Sequence, residues 1–449
     1  MRNLVIASLM LLGPLMLDEL QKDVSFGSQA VAADEERERR RVPPLKERTY
    51  RVLAEAQMLI DPDSIPLEEG EERPDIQPDP RAAIELLMKG LTRRGLNAYE
   101  VAQIWNTLAF AYYTLDDIDN TIRAYEEVLK QPQIQISLAI ELSATRALFQ
   151  LYYSREDYRK AITYIDRWEA LNITPDAGIV FIKSTAYYQL EEYRNSLEEA
   201  LRVEEIVIAQ GREMKENWLY IQVVLYNELE DLDNVINVLE RLIVLFPKKQ
   251  YWMHLAGMYA EKEWPEKTLG AYYAAYLQGM FGKETEIVML AQRLLNAEVP
   301  FEAASILEKG FSDELVKKNE RNMRLLAACY TMSQEFDLAI EAWRDATEFA
   351  EDGLIYYRLA QALANEDRHK EAVKAYRNAL DKGDLKSPEE VNFWMGISLM
   401  QVQEWSAATK AFRVSSKDKK KAKSSRQYIR YIQSEKRRLA ALREMATGN

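Results

Sequence analysis

The chain has 449 residues, 47% hydrophobic and 29% charged, with a formal net charge of −13, two histidines and one cysteine. A single cysteine excludes an internal disulfide, and His254 and His369, with no second histidine or cysteine at ligand spacing, give no pattern for a metal site. Only 16 Gly and 14 Pro leave room for long helical stretches.

At the N-terminus Arg2 precedes an apolar run from Leu4 to Leu17, and Ala30-Val31-Ala32-Ala33 places small residues ahead of a charged segment beginning Asp34-Glu35-Glu36. That layout predicts a signal peptide over 1–33, cleaved near Ala32 or Ala33, and export to the periplasm. Asp18 and Glu19 end the run early, Pro14 lies inside it, and it falls short of the roughly 20 residues that span a bilayer. An uncleaved membrane anchor and a cytoplasmic chain are the alternatives.

Residues 34–96 read as a charged segment and an irregular first helical pair, with helix A near Leu45 to Ile60 and helix B near Asp79 to Leu91. Between them a loop over 61–80 holds Pro62, Pro66, Pro74, Pro78 and Pro80. Proline lacks the amide donor and resists helix interiors, which predicts an extended, mobile insertion.

From 97 to 413 one pattern recurs. Leu148-Phe149, Tyr152, Ala161 and Ile165 return in altered form as Leu326-Ala327, Tyr330, Ala339 and Trp343. The residue that must be small where helix B crosses helix A falls at Thr121, Ala161, Ser196, Val235, Thr268, Ala304, Ala339, Ala372 and Ala408, at intervals of 40, 35, 39, 33, 36, 35, 33 and 36. A unit that returns near every 34 residues cannot bury its apolar face alone, so stacking supplies the core. The intervals of 40 and 39 call for loop insertions. Trp105, Leu108, Ala109 and Tyr112, and again Trp252, Leu255, Ala256 and Tyr259, mark the clearest first helices, whereas Lys183 and Gln222 stand where Leu is expected.

These features resemble the tetratricopeptide repeat (TPR) family. The resemblance implies an all-α TPR superhelical solenoid of about nine to ten helix-turn-helix repeats with a concave groove and a C-terminal capping helix. In its frame the eleventh place of a unit packs inside the repeat, and the fifth, ninth and twelfth places face the groove. Tyr112, Tyr152 and Tyr187 are then core. Tyr113, Tyr153 and Tyr188 form a groove row, with Asn106, Phe110, Arg146, Gln150, Phe181 and Tyr220 around them. Rigid aromatics with a few amide and guanidinium donors suit an extended peptide or an amphipathic helix; ordinary packing on neighbouring helices is the competing account. The Lys and Asn set with which some members clamp a terminal carboxylate is absent here, which argues against acidic C-terminal tails of the chaperone type.

Charge is divided unequally. From Arg413 onward 12 Lys and Arg face Asp418, Glu435 and Glu444, a net +9, which leaves −22 for the rest. An acidic body disfavours nucleic acid. The basic stretch 414–449 is expected to be a solvated capping helix, or to make peripheral contact with an anionic membrane surface.

No G-x-S-x-G elbow, phosphate-cradling glycine loop or dinucleotide fingerprint occurs. Glu126-Glu127 reads as solvating charge, and Cys329 as a small buried hydrophobe. The expectation is a non-enzymatic chain without cofactors.

Leu96-Asn97-Ala98-Tyr99-Glu100-Val101-Ala102-Gln103-Ile104-Trp105-Asn106, with Ala109-Phe110-Ala111-Tyr112-Tyr113 and Arg155-Glu156-Asp157-Tyr158, resembles exported bacterial TPR proteins that accompany TonB, ExbB and ExbD energy-transduction systems. That resemblance implies a periplasmic scaffold or adaptor, with TonB, ExbB or ExbD components among its protein partners. The alternative function is an envelope-assembly or structural protein that acts through its basic tail on anionic lipid or cell-wall polymer.

Overall fold

The computed structural model describes residues 40–62 and 77–447. The signal peptide expected over 1–33 and most of the proline-rich loop, including Pro66 and Pro74, lie outside the described residues.

Among those residues the regular structure is helical. Residues up to Pro247 form one compact unit and those from Lys248 a second. The first holds five antiparallel pairs: α1 Glu47–Ile60 with α2 Pro80–Leu91, α3 Ala98–Thr114 with α4 Ile118–Leu129, α5 Leu138–Ser154 with α6 Tyr158–Leu171, α7 Ala177–Gln189 with α8 Tyr193–Ala209, and α9 Glu216–Glu228 with α10 Leu232–Leu245. The second holds five more: α11 Lys249–Glu261 with α12 Pro265–Leu277, α13 Glu284–Asn296 with α14 Pro300–Ser312, α15 Glu320–Met332 with α16 Phe336–Ala346, α17 Leu354–Asn365 with α18 His369–Lys382, and α19 Pro388–Gln401 with α20 Trp405–Ser415. A last helix, α21 Ala422–Thr447, packs its first turns on α20. Ten pairs and a terminal helix agree with the nine to ten repeats read from the period, and α1 and α2 fall where the irregular first pair was expected.

The turn inside each pair explains why the units are so regular. In the nine pairs from α3 onward the second residue before helix B adopts the left-handed conformation: Asp116, Glu156, Glu191, Glu230, Glu263, Glu298, Gln334, Asp367 and Gln403. The next residue donates its amide back across the turn, as Asp117 does to the Tyr112 carbonyl (3.0 Å), Asp157 to Tyr152 (2.9 Å) and Asp231 to Tyr226 (2.8 Å). This closure satisfies carbonyls that the helix end would otherwise orphan. The same aspartates then cap helix B, since Asp117, Asp157 and Asp231 accept the amides of Asn120, Lys160 and Asn234. One residue thus ends one helix and begins the next.

All nine crossing positions are buried, from Thr121 to Ala408. Cys329 is core as expected, and burial pushes its thiol up to about 12, so it stays protonated. The loop insertion foreseen accounts for part of one long interval and not for the other. The interval of 40 reflects a 17-residue α5 in addition to a loop with a short 3-10 turn, Gln133–Gln135, and the interval of 39 reflects a 17-residue α8.

Glu126 also departs from expectation. It accepts hydrogen bonds from the hydroxyls of Tyr152 (2.7 Å) and Tyr164 (3.3 Å), whose rings stack at 5.6 Å. It is a fastener between repeats. Lys183 and Gln222, the two apparent departures from the leucine place, are buried and polar by design of their neighbours. Lys183 pairs with Asp166, Glu169 and Glu199, and Gln222 donates to Glu204 (3.0 Å).

Candidate binding faces

On the first unit the groove residues named from the sequence fare unequally. Tyr113 at the end of α3 is 53% exposed, and Asn106, Phe110, Arg146 and Gln150 are half-buried on α3 and α5. Tyr153 is half-buried and already engaged: its hydroxyl donates to Thr185 Oγ1 on α7 (3.0 Å), and its ring meets Tyr158 edge-on at 5.3 Å. Tyr188 lies 5.7 Å from the Tyr193 ring, and burial next to Glu228 pushes its phenol up to about 12. Tyr220 is half-buried on α9. Phe181 must be corrected. It is only 4% exposed, packed 6.3 Å from the Trp218 ring, because α7 is covered on nearly every side and the fifth place there faces core. Of the residues expected inside the repeat, Tyr152 is buried, while Tyr112 and Tyr187 are half-buried.

A further concavity lies in the second unit, away from the tyrosine row. A space of about 1010 Å³ opens along α15, α17 and α19, lined by Arg324, Ala328 and Thr331, by Arg358 and Gln361, and by Trp394 and Ile397. These are first helices of three successive pairs, so one face of each contributes. Arg324 is held near Glu320 (3.4 Å), and Arg358 hydrogen-bonds Gln361 (3.0 Å). Neither Arg321 nor Arg358, both exposed and on this lining, has a carboxylate at ion-pair distance among the described residues. Trp394 is 38% exposed. His369 closes one wall; its Nε2 is 3.4 Å from Asp367, and its buried Nδ1 has no hydrogen-bond partner.

An open groove with unpaired guanidinium groups, an amide and an exposed indole can seize a chain of peptide groups and side chains. Among the described residues no three of His, Cys, Asp and Glu are placed to hold a metal ion, and no helix is long and apolar enough to cross a membrane.

Residues 102–132 and 354–381 match the model of the tetratricopeptide repeat. The chain carries tetratricopeptide repeats. The first match covers α3 and α4, and the second covers α17 and α18, so each compact unit holds a recognised repeat. No curated protein matches the sequence. Solved structures similar to it include the MamA protein (18% identity over 39% of this chain and 90% of that one, TM-score 0.32). They also include YrrB, a TPR protein with an unusual peptide-binding site (15%, 42% and 97%, 0.33), and the TPR2AB domain of yeast Sti1 in complex with pHSP90 (15%, 61% and 96%, 0.29). At these scores the repeat assignment rests on the two model matches and on the helix pairs themselves.

The repeat frame locates what the tyrosines concealed. Counting from Ala339, Ala372 and Ala408, the fifth, ninth and twelfth places are Arg324, Ala328 and Thr331, then Tyr357, Gln361 and Ala364, then Phe393, Ile397 and Met400; all but Tyr357, Phe393 and Met400 are on the lining of the large groove.

Proposed function

We propose that this chain is a non-enzymatic scaffold that holds an extended segment of a partner protein on the concave face of its C-terminal repeats. The observation that carries the reading is the groove of α15, α17 and α19, where Arg321 and Arg358 have no carboxylate partner among the described residues and lie beside the exposed Trp394. Rings supply area, and the guanidinium and amide groups supply direction.

The compartment we propose is the periplasm, from the layout of Arg2, Leu4 to Leu17 and Ala30 to Ala33. Components of a TonB-type system are the proposed partners, from the resemblance around Leu96 to Tyr113. A photo-crosslinking residue at Gln361, in the full chain expressed in its native host, tests the reading. Adducts with periplasmic or TonB-system proteins that vanish in Trp394→Ala/Arg358→Ala are expected; adducts that persist in that variant overturn the groove assignment, and cytoplasmic adducts overturn the compartment. The alternative, action of the basic tail on anionic lipid or cell-wall polymer, predicts that a chain ending at Gln433 loses binding to those surfaces while groove capture survives.

A further inference from the structure

The terminal helix α21 is half inside the fold and half outside it. Tyr428 packs on Phe412 (5.0 Å between rings) and Ile432 is fully buried, but beyond Ile432 no described residue of α21 is buried. The helix nevertheless continues to Thr447, about 20 Å further at 1.5 Å per residue. Its apolar stripe continues as well. Leu439 and Leu442 follow Ile432 at steps of seven and three, on the same helical face, and Leu442 is 47% exposed. Lys436 and Arg443 flank this stripe on one side, one heptad or about 10 Å apart, and Arg438 flanks it on the other. Lys436 reaches back to Ser406 on α20 (3.2 Å), while Leu442 beyond it stays exposed on this amphipathic helix.

Charge says what covers it. Helix α21 carries seven Lys and Arg against two Glu, a net +5. Residues 97–247 carry 13 basic against 25 acidic side chains, a net −12, whereas residues 248–412 carry 20 against 26, a net −6. The acidic surplus is greatest in the first unit. There the left-handed turn residues are all carboxylates, Asp116, Glu156, Glu191 and Glu230, exposed and outside any ion pair among the described residues; the second unit has Gln334 and Gln403 at two of its five. Between two of those turns lies an open cleft of about 320 Å³ lined by Glu191, Glu192, Tyr193, Arg194, Asn195 and Leu229, with Glu192 already paired to Arg159 and Glu191 left as the rim carboxylate. Apolar wall and carboxylate rim match a leucine flanked by Lys and Arg.

We infer that the distal half of α21 docks on the turn edge of the first unit of a second copy of this chain, with Leu439 and Leu442 against the Glu191–Leu229 cleft and Lys436 and Arg443 toward successive turn carboxylates. Pairing of two α21 helices with each other is disfavoured, because both are basic. The contact is heterologous, since it joins unlike surfaces of two identical chains. It leaves the concave face of the second unit open.

Sedimentation velocity of the full chain over a hundredfold range of concentration tests this. Expected are concentration-dependent association, weaker at high salt, and at least a tenfold loss of affinity in Leu439→Asp/Leu442→Asp. Lys436→Glu/Arg443→Glu and Glu191→Lys/Glu230→Lys should each fail to self-associate yet associate when mixed, a rescue that misfolded variants could not give. A monomer at every concentration overturns the inference, as does association indifferent to Leu439 and Leu442. Binding of the monomer to phosphatidylglycerol vesicles in place of self-association assigns the stripe to lipid and overturns it too.

Discussion

Lys183 Nζ lies 2.7 Å from Glu199 Oε1 and 2.8 Å from Asp166 Oδ1, with its side chain only 11% exposed. It stands at a place that the repeat normally gives to leucine. Helix B of one pair and both helices of the next meet at this ammonium group. Arg202 extends the set by pairing with Glu169 (2.7 Å) and Glu199 (3.1 Å), and the arrangement recurs one unit later, where Arg241 pairs with Glu204 beside Gln222. The ion pairs hold the Lys183 ammonium in its charged form against the burial that would discharge it.

Removing only Lys183 leaves the half-buried Glu199 and Glu169 to share Arg202. Lys183→Leu should therefore lower stability by about 3–5 kcal/mol although it restores the repeat consensus, while Lys183→Leu/Glu199→Leu should recover most of that loss, since an apolar replacement of both partners is often neutral. Chemical denaturation of the three proteins checks the order. Equal losses in the single and double variants would mean that packing, and not charge, sets the cost.

The left-handed turns give a second, opposite prediction. A side chain at positive φ costs about 1–2 kcal/mol that glycine does not, and glycine returns roughly 0.4–1 kcal/mol of that through the unfolded chain. Gln334, at φ 62°, should gain about 0.5–1 kcal/mol as Gln334→Gly and lose stability as Gln334→Val, measured by thermal unfolding.

Glu100 supplies a pH dependence. Its carboxylate is fully buried and accepts from Thr49 Oγ1 (2.6 Å), the Asn97 amide (3.0 Å) and the Lys46 amide (3.2 Å). Burial alone would raise its pKa, but these bonds outweigh it and hold the group below the usual carboxylate value. A depressed folded pKa contributes stability above the unfolded pKa, and that contribution disappears as pH falls through the folded one. Stability of the natural chain should thus decline between about pH 5 and pH 3 more steeply than that of Glu100→Gln, followed by urea unfolding at each pH.

The helix pairs were legible because sterics write them into the sequence. A crossing point tolerates only small or compact residues, so Thr121 to Ala408 carried the period, and all nine proved buried. What failed to show was pairing across helices. Lys183 and Gln222 looked like weak matches because their partners, Asp166, Glu199 and Glu204, lie 16 to 18 residues away on other helices. Glu126 looked like solvent-facing charge because its tyrosine donors belong to the following pair. The large groove was readable in the same frame, through Arg324, Gln361 and Ile397, but doubled tyrosines in the N-terminal repeats drew attention first. Aromatic residues mark burial and binding alike, and the sequence cannot tell which ring its neighbours have already used.

That distinction yields the last prediction. Tyr113 is exposed, whereas Tyr153 is tied to Thr185 and Tyr158, and Tyr188 lies beside Tyr193. Tyr153→Phe should cost about 1 kcal/mol, the net worth of one hydrogen bond, and Tyr153→Ala about 3–5 kcal/mol through the cavity it leaves. Tyr113→Ala should leave stability within about 0.5 kcal/mol. If the face of α3 and α5 also grips a partner, crosslinking from Gln150 should fall in Tyr113→Ala while the unfolding midpoint stays put. A midpoint that falls as far in Tyr113→Ala as in Tyr153→Ala would make the first tyrosine structural as well, and would leave this face with no ring free for a partner.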